Sequence, residues 1–263
     1  METKKNKNNT ENKDIKDIKD ITPTYTDMHS HILPGLDDGA RDMQETLAAL
    51  REARAQGFNR IIVTPHFHPE RYVVYGIRIM ETLDKVRAAC RKEGISIQLL
   101  PGQECYYYSG LVEELERGRA LTMCGTRYVL VEFDPMVPWS AIRLGVRDLV
   151  ENGYRPILAH FERYECLSHI ERLKELRSQG VLLQMNYDTL RKTSILHRSP
   201  WRGLVQKGYV DLLGSDCHGT HFRPFRVQPV NEWLDKSVDE RIADRMRRQN
   251  IALLLENLKK NRK

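Results

Sequence analysis

Several short motifs in this chain concentrate side chains that bind metal ions. His29 and His31 stand in DMHSH; alternate residues of an extended segment point to one side, so both imidazoles can face one ion. Asp37 and Asp38 follow in GLDDG, His66 in TPHFH, Glu104 in PGQE, Glu132 in LVEFD, His160 in LAHFER, and Asp216 with His218 in GSDCH. Zinc commonly takes about four ligands and magnesium or manganese about six, some of them water, so this set suits two or three ions. Imidazole and carboxylate without thiolate suit Mn²⁺, Fe or Zn²⁺ alike.

Taken singly, each motif has a bland explanation. A His-x-His pair can be a surface accident, a Glu at a strand end is often solvated or caps a helix, Asp beside Gly serves turns, and His66 or His160 could be core histidines. Those explanations do not account for the collective placement. Six of seven predicted strands end in a His, Asp or Glu, and two of those ends carry a spaced pair.

The strands that place them are short apolar or β-branched runs: 26–28, 60–64, 96–100, 128–132, 155–159, 181–185 and 210–214. Between them lie segments of helical period. The span 42–56 puts Met43, Leu47, Leu50 and Ala53 on one face, and 77–92 does so with Ile77, Met80, Leu83 and Val86. Helices are also expected at 139–152 and 169–179, each stopped by a glycine, and a closing helical stretch at 231–258. Strand and helix in alternation specify an α/β fold with a parallel sheet. In a parallel barrel the C-terminal strand ends form the reactive face, so ligands remote in sequence converge there. No linker rich in Pro, Gly or Ser divides the chain, and a single barrel domain over residues 25–258 is expected.

Residues 1–24 are charged and repetitive (KDIKDIKD) and read as a disordered arm; residues 259–263 read as a basic tail. These ends hold most of the net charge of +6: the arm has six Lys against five acids, the tail four Lys or Arg and no acid. The body is nearly neutral, which argues against a nucleic-acid groove. No apolar run approaches the roughly 18 residues of a membrane span, and the charged N-terminus lacks a secretory signal, so a cytoplasmic protein is expected. The five cysteines are scattered and read as free thiols.

The motifs DMHSHILPGLDDG, TPHF, PGQE, YVLVEF, AHFERY and GSDCH resemble, in content and order, the polymerase and histidinol phosphatase superfamily. Within it they resemble the manganese-dependent protein-tyrosine phosphatases of bacterial capsule and exopolysaccharide operons. The resemblance runs from about Asp27 to Arg223 and into the C-terminal helices. It implies a distorted (βα)₇ barrel and a trinuclear centre held by His29, His31, Asp38, His66, Glu104, Glu132, His160, Asp216 and His218, with Glu104 bridging. It further implies phosphate contacts from Arg163 and Arg223, and as partner the phosphotyrosine tail of a bacterial tyrosine kinase that controls polysaccharide synthesis. The family usually carries Pro where Phe161 stands, a departure that bears on the loop leading to Arg163.

The expected activity is hydrolysis of phosphotyrosine by metal-bound hydroxide; the alternative is a small phosphomonoester such as histidinol phosphate on the same barrel. A cysteine-dependent mechanism has a nominal foothold, because Cys166 and Cys217 each precede an Arg by six positions (Arg172 and Arg223). Neither stands in a glycine-rich, amide-lined loop that would lower a thiol pKa. Tyr106, Tyr107 and Tyr108 follow Glu104 and could wall an aryl ring, although aromatics there more often pack a core.

Overall fold

The computed structural model describes residues 25–191 and 200–260; the proposed arm at 1–24 and the last three residues of the basic tail lie outside the described residues. Among the described residues nine strands run β1 (Tyr25–Asp27), β2 (Phe58–Val63), β3 (His66–Phe67), β4 (Gln98–Pro101), β5 (Glu104–Tyr106), β6 (Tyr128–Glu132), β7 (Arg155–Leu158), β8 (Leu182–Asn186) and β9 (Leu212–Gly214). All ladders between them are parallel, in the orders β1-β2-β4 and β3-β5-β6-β7-β8-β9.

The nine strands occupy seven positions. Beyond Thr64–Pro65, β3 continues the line of β2, and beyond Gly102–Gln103, β5 continues that of β4. Ser30 pairs in parallel with Cys217, joining the extension of β1 to that of β9, and His31 N–H donates to the Cys217 carbonyl at 2.8 Å. The sheet thereby curls back on itself as a distorted seven-position α/β barrel.

The outer helices are α1 (Met43–Ala55), α2 (Gly76–Lys92), α3 (Leu111–Glu116), α4 (Trp139–Glu151), α5 (Ile170–Ser178), α6 (Tyr187–Arg191), α7 (Pro200–Gln206), α8 (Gln228–Ser237), α9 (Glu240–Asp244) and α10 (Asn250–Lys260). Asp42 caps α1 by accepting from Glu45 N–H at 2.9 Å, satisfying a donor the first turn leaves open. The buried stripe of α2 is Ile79, Leu83, Val86 and Cys90; Ile77 is 72% exposed, so the stripe is rotated from the one expected. The closing helical stretch expected at 231–258 consists of several segments. Asp239 starts a new turn by accepting from Arg241 N–H, and Arg245–Gln249 widen into a π-helical turn before α10.

Strand alternation sorts the core. In β6, Leu130 points into the barrel, whereas Val129 and Val131 point out against the helices. Met28, Ile62, Leu130, Ile157 and Leu212 fill the lower interior, which Ile251 and Leu254 of α10 plug from below. This apolar floor leaves the C-terminal ends of the strands for polar side chains.

Candidate metal centre

The nine proposed ligands meet above that floor. His29, His31 and Glu104 offer atoms within 4.8 Å of one another, as do His66, Glu104 and Glu132, and as do His31, Asp38, His66 and His218. The two remaining residues join through contacts: His160 Nε2 lies 2.7 Å from Glu104 Oε1, and Asp216 Oδ1 lies 3.5 Å from His31 Nε2. Glu104 is central, with its Oε2 at 3.1 Å from both His29 Nε2 and His31 Nε2 and 3.2 Å from His66 Nδ1. Except for Asp38, Glu132 and His66, all nine are buried.

Hydrogen bonding fixes which nitrogens face the centre. His29 Nδ1 lies 3.0 Å from Gln184 Oε1, and His31 Nδ1 lies 2.8 Å from Asp37 Oδ2; both partners are acceptors, so both Nδ1 atoms carry the proton. The Gln184 amide is oriented at both ends. Its oxygen also accepts from the His160 N–H at 2.8 Å, while its nitrogen donates to Asn186 Oδ1 at 2.9 Å, and Asn186 Nδ2 donates to Asp216 Oδ2 at 2.8 Å. In the neutral imidazoles the Nε2 lone pairs of His29 and His31 therefore face each other at 3.1 Å. Lone pairs so placed repel unless a cation lies between them. Glu104 Oε2, His66 Nδ1 and His160 Nδ1 are also buried without a hydrogen-bond partner among the described residues. Opposed lone pairs, orphaned buried atoms and a hard oxygen and imidazole donor set all fit divalent ions.

Electrostatics agree. Burial would raise Glu104 and Asp216, yet the surrounding imidazoles, and for Asp216 also Arg163, hold both carboxyls well below their ordinary range. Against burial, Glu104 and Glu132 lift His66 to about 10. Against burial and the neighbouring His66, Asp37 and Glu104 lift His31 to about 9. In the metal-free protein protons therefore occupy the nitrogens that cations would take.

Backbone geometry aims the proposed ligands. Ile157 and Ala159 face into the barrel, so plain alternation would turn His160 outward; its left-handed φ of 31° swings it to the centre. Asp216 (φ 52°) and Arg223 (φ 47°) share this conformation, which costs a non-glycine residue about 1–3 kcal/mol and recurs where function requires it. Arg163 and Arg223 both donate to Asp216 Oδ2, the latter at 3.0 Å. The loop carrying Arg163 is tied down by Glu162, whose Oε1 accepts from Asn186 N–H at 2.9 Å and Thr189 Oγ1 at 3.0 Å. Phe161 is fully buried and packs edge-on against Trp201, so the departure from Pro is absorbed in the core beneath that loop.

Sequence reasoning missed the residues that orient the proposed ligands. Gln184 and Asn186 lie in β8, the strand expected to carry no ligand; two amides at i and i+2 facing the barrel interior were the available signal. Asp37 stands beside Asp38 in the sequence but its work is different: it holds His31 Nδ1 and accepts from His66 N–H at 2.8 Å. Asp27 accepts from Ser215 N–H at 2.8 Å, fixing the strand end before Asp216. Of the three tyrosines after Glu104, Tyr106 packs on His68, Tyr107 bonds Asp148, and Tyr108 sits against Gly110. Burial pushes the Cys217 thiol up to about 12 and raises Cys166, which removes the basis for a thiolate nucleophile.

The described helices include none long and apolar enough to cross a membrane. The profile of the family described as "Capsular polysaccharide synthesis, CpsB/CapC" matches residues 25–256. The tyrosine-protein phosphatase YwqE of Bacillus subtilis is 32% identical over 234 residues, covering 88% of this chain and 91% of that protein. The tyrosine-protein phosphatase CpsB of Streptococcus agalactiae serotype V is 26% identical over 238 residues, covering 88% and 98%. A crystal structure from work on B. subtilis YwqE and Streptococcus pneumoniae CpsB, described as metal-dependent tyrosine phosphatases, superposes with a TM-score of 0.79 at 31% identity, covering 88% of this chain and 94% of that one. The phosphotriesterase homology protein of Escherichia coli, at 14% identity and a TM-score of 0.51, shares the barrel alone. With a profile match across nearly the whole described body and a relative of this identity and coverage, the chain belongs to the CpsB/CapC family.

Proposed function

We propose that this chain is a metal-dependent protein-tyrosine phosphatase that removes phosphate from the tyrosine-rich tail of a bacterial tyrosine kinase and so regulates capsular or exopolysaccharide synthesis. The observation that carries the proposal is the convergence of His29, His31 and Glu104, with ligand atoms within 4.8 Å of one another, and of Arg163 and Arg223 on Asp216 beside them. His29, His31, Asp38, His66, Glu104, Glu132, His160, Asp216 and His218 would hold two or three ions, with Mn²⁺ as the working choice. Bound divalent ions supply a hydroxide near neutral pH and neutralise phosphoryl charge.

The chain's own groups do the rest. Arg163 and Arg223 would exchange their contacts with Asp216 for the non-bridging oxygens of a phosphate, a charge-assisted arrangement to which guanidinium is suited. Phe222 is 61% exposed, 6.0 Å from the His218 ring and beneath the Arg223 guanidinium at 5.0 Å, which gives the mouth an apolar shelf for an aryl ester. A tyrosine leaving group has a pKa of about 10, so its departure needs little proton donation, in keeping with a centre whose buried acids are held ionised. Residues 25–258 would form the working unit and the charged ends its appendages. Five unpaired cysteines support a reducing, cytoplasmic setting.

The test is comparative turnover of a phosphotyrosine peptide, the matching phosphoserine peptide and histidinol phosphate, with Mn²⁺ and then with chelator. Chelator-sensitive preference for phosphotyrosine is expected. Metal-dependent preference for histidinol phosphate would replace the substrate, and indifference to chelator would remove the mechanism.

A further inference from the structure

A cavity of about 390 Å³ opens beside the metal cluster on the β8–β9 side, within the roughly 300–1,000 Å³ usual for ligand pockets. Four guanidinium groups line it: Arg163 and Arg223, already assigned to the phosphate, and Arg191 and Arg226, to which the proposed chemistry gives no task. Two carboxylates share the lining, and both are engaged. Asp216 takes Arg163, Arg223 and Asn186, while Asp188 pairs with Arg191 at 2.6 Å. Arg226 is exposed and has no hydrogen bond or ion pair among the described residues. The cavity is therefore larger than one phosphoryl group requires, contiguous with the reactive centre, and positively charged beyond what that centre uses.

We infer that Arg226, with Arg191, forms a second anion subsite that takes a carboxylate or phosphate carried by a residue flanking the scissile phosphotyrosine. The inference rests on the phosphotyrosine reading above and adds a substrate class to it: acidic or multiply phosphorylated peptides. Arg is suited to either anion because its planar fork matches both. With the reacting phosphate held at the metal ligands by Arg163 and Arg223, the outer pair meets the neighbouring side chain of an extended peptide. Contacts of this kind act on binding, so their loss raises KM and leaves kcat unchanged.

The experiment measures kcat and KM for Mn²⁺-loaded wild type, Arg226→Gln and Arg191→Gln on four substrates. These are p-nitrophenyl phosphate and three phosphotyrosine peptides of one backbone, flanked by neutral residues, by Asp or Glu, or by a second phosphotyrosine. Binding of the matching non-hydrolysable phosphonate peptides gives a readout independent of turnover. Wild type is expected to favour the anionic flanks by roughly three- to tenfold in kcat/KM, through KM. Arg226→Gln is expected to erase that preference while turning over p-nitrophenyl phosphate as wild type does. A greater gain from the second phosphotyrosine names phosphate as the occupant, equal gains name the carboxylate, and either supports the subsite. Peptide turnover indifferent to flanking charge, or preference retained in both variants, overturns the subsite alone. Hydrolysis of p-nitrophenyl phosphate without hydrolysis of any peptide overturns the phosphotyrosine reading and the subsite with it.

Discussion

At the scale of single residues, the centre separates the nine proposed ligands, which face one another, from side chains that hold them in place. Replacing His160 or Asp216 with Ala removes a facing group, and turnover is expected to fall by at least about 100-fold while circular dichroism stays native; near-normal turnover in both variants would sink the assignment. Gln184 tests the holding role. Its Oε1 sets the tautomer of His29 and receives the His160 N–H, so Gln184→Ala is expected to weaken Mn²⁺ binding by roughly 10–100-fold with all nine facing residues intact. Unchanged affinity in that variant would show that the tautomer is set elsewhere. The contrast also explains what could be read beforehand. Histidines and acids at successive strand ends are chemically scarce and lie where a barrel gathers them, so the nine residues that converge were legible as a group. Gln184 and Asn186 were not, because an amide in an apolar run such as LLQMN carries no charge, and its value arises only from the partners folding gives it.

At the scale of elements, the strand ends are packed so closely that a methyl group matters. A Cβ on Gly214, at the end of β9, would lie 2.5 Å from His29 Cβ and 2.9 Å from Gln184 Nε2. Gly214→Ala is therefore expected to cost about 1–3 kcal/mol of stability and to loosen metal binding, because the atoms that must yield belong to the centre; denaturant melts with and without Mn²⁺ measure both effects. A variant of full stability and affinity would mean that β9 has more freedom than its contacts allow. Periodicity identified the seven strand positions but not the breaks at Thr64–Pro65 and Gly102–Gln103, where two positions divide in two. The C-terminal helices show the same limit. Residues 231–258 have a nearly continuous apolar period, yet the cap at Asp239 and the π-helical turn over Arg245–Gln249 redirect the chain so that Ile251 and Leu254 reach the barrel floor. The helical period reports that a face is buried and is silent about which surface receives it.

At the scale of the whole molecule, folding gathers acids and imidazoles whose charges stabilise one another only when a proton or a metal ion lies between them. In the metal-free protein His31 stays protonated to about pH 9 and His66 to about 10, both above their ordinary value of about 6.5. A raised histidine contributes stability that is complete below about pH 6.5 and is lost as pH climbs through 9 to 10. The metal-free Tm is therefore expected to decline over that window, while Mn²⁺ affinity rises and each binding event releases protons, measurable by calorimetry in buffers of different ionisation enthalpy. A metal-free Tm that rose with pH would contradict this balance. The most direct test of the central claim, that strand ends around one barrel form a polynuclear metal centre, is elemental analysis of the protein after Mn²⁺ loading and desalting. Two or three ions per chain are expected in the wild type, with loss of most of them in Glu104→Ala. One ion or none in a folded wild-type chain, or an unchanged count in Glu104→Ala, would contradict it.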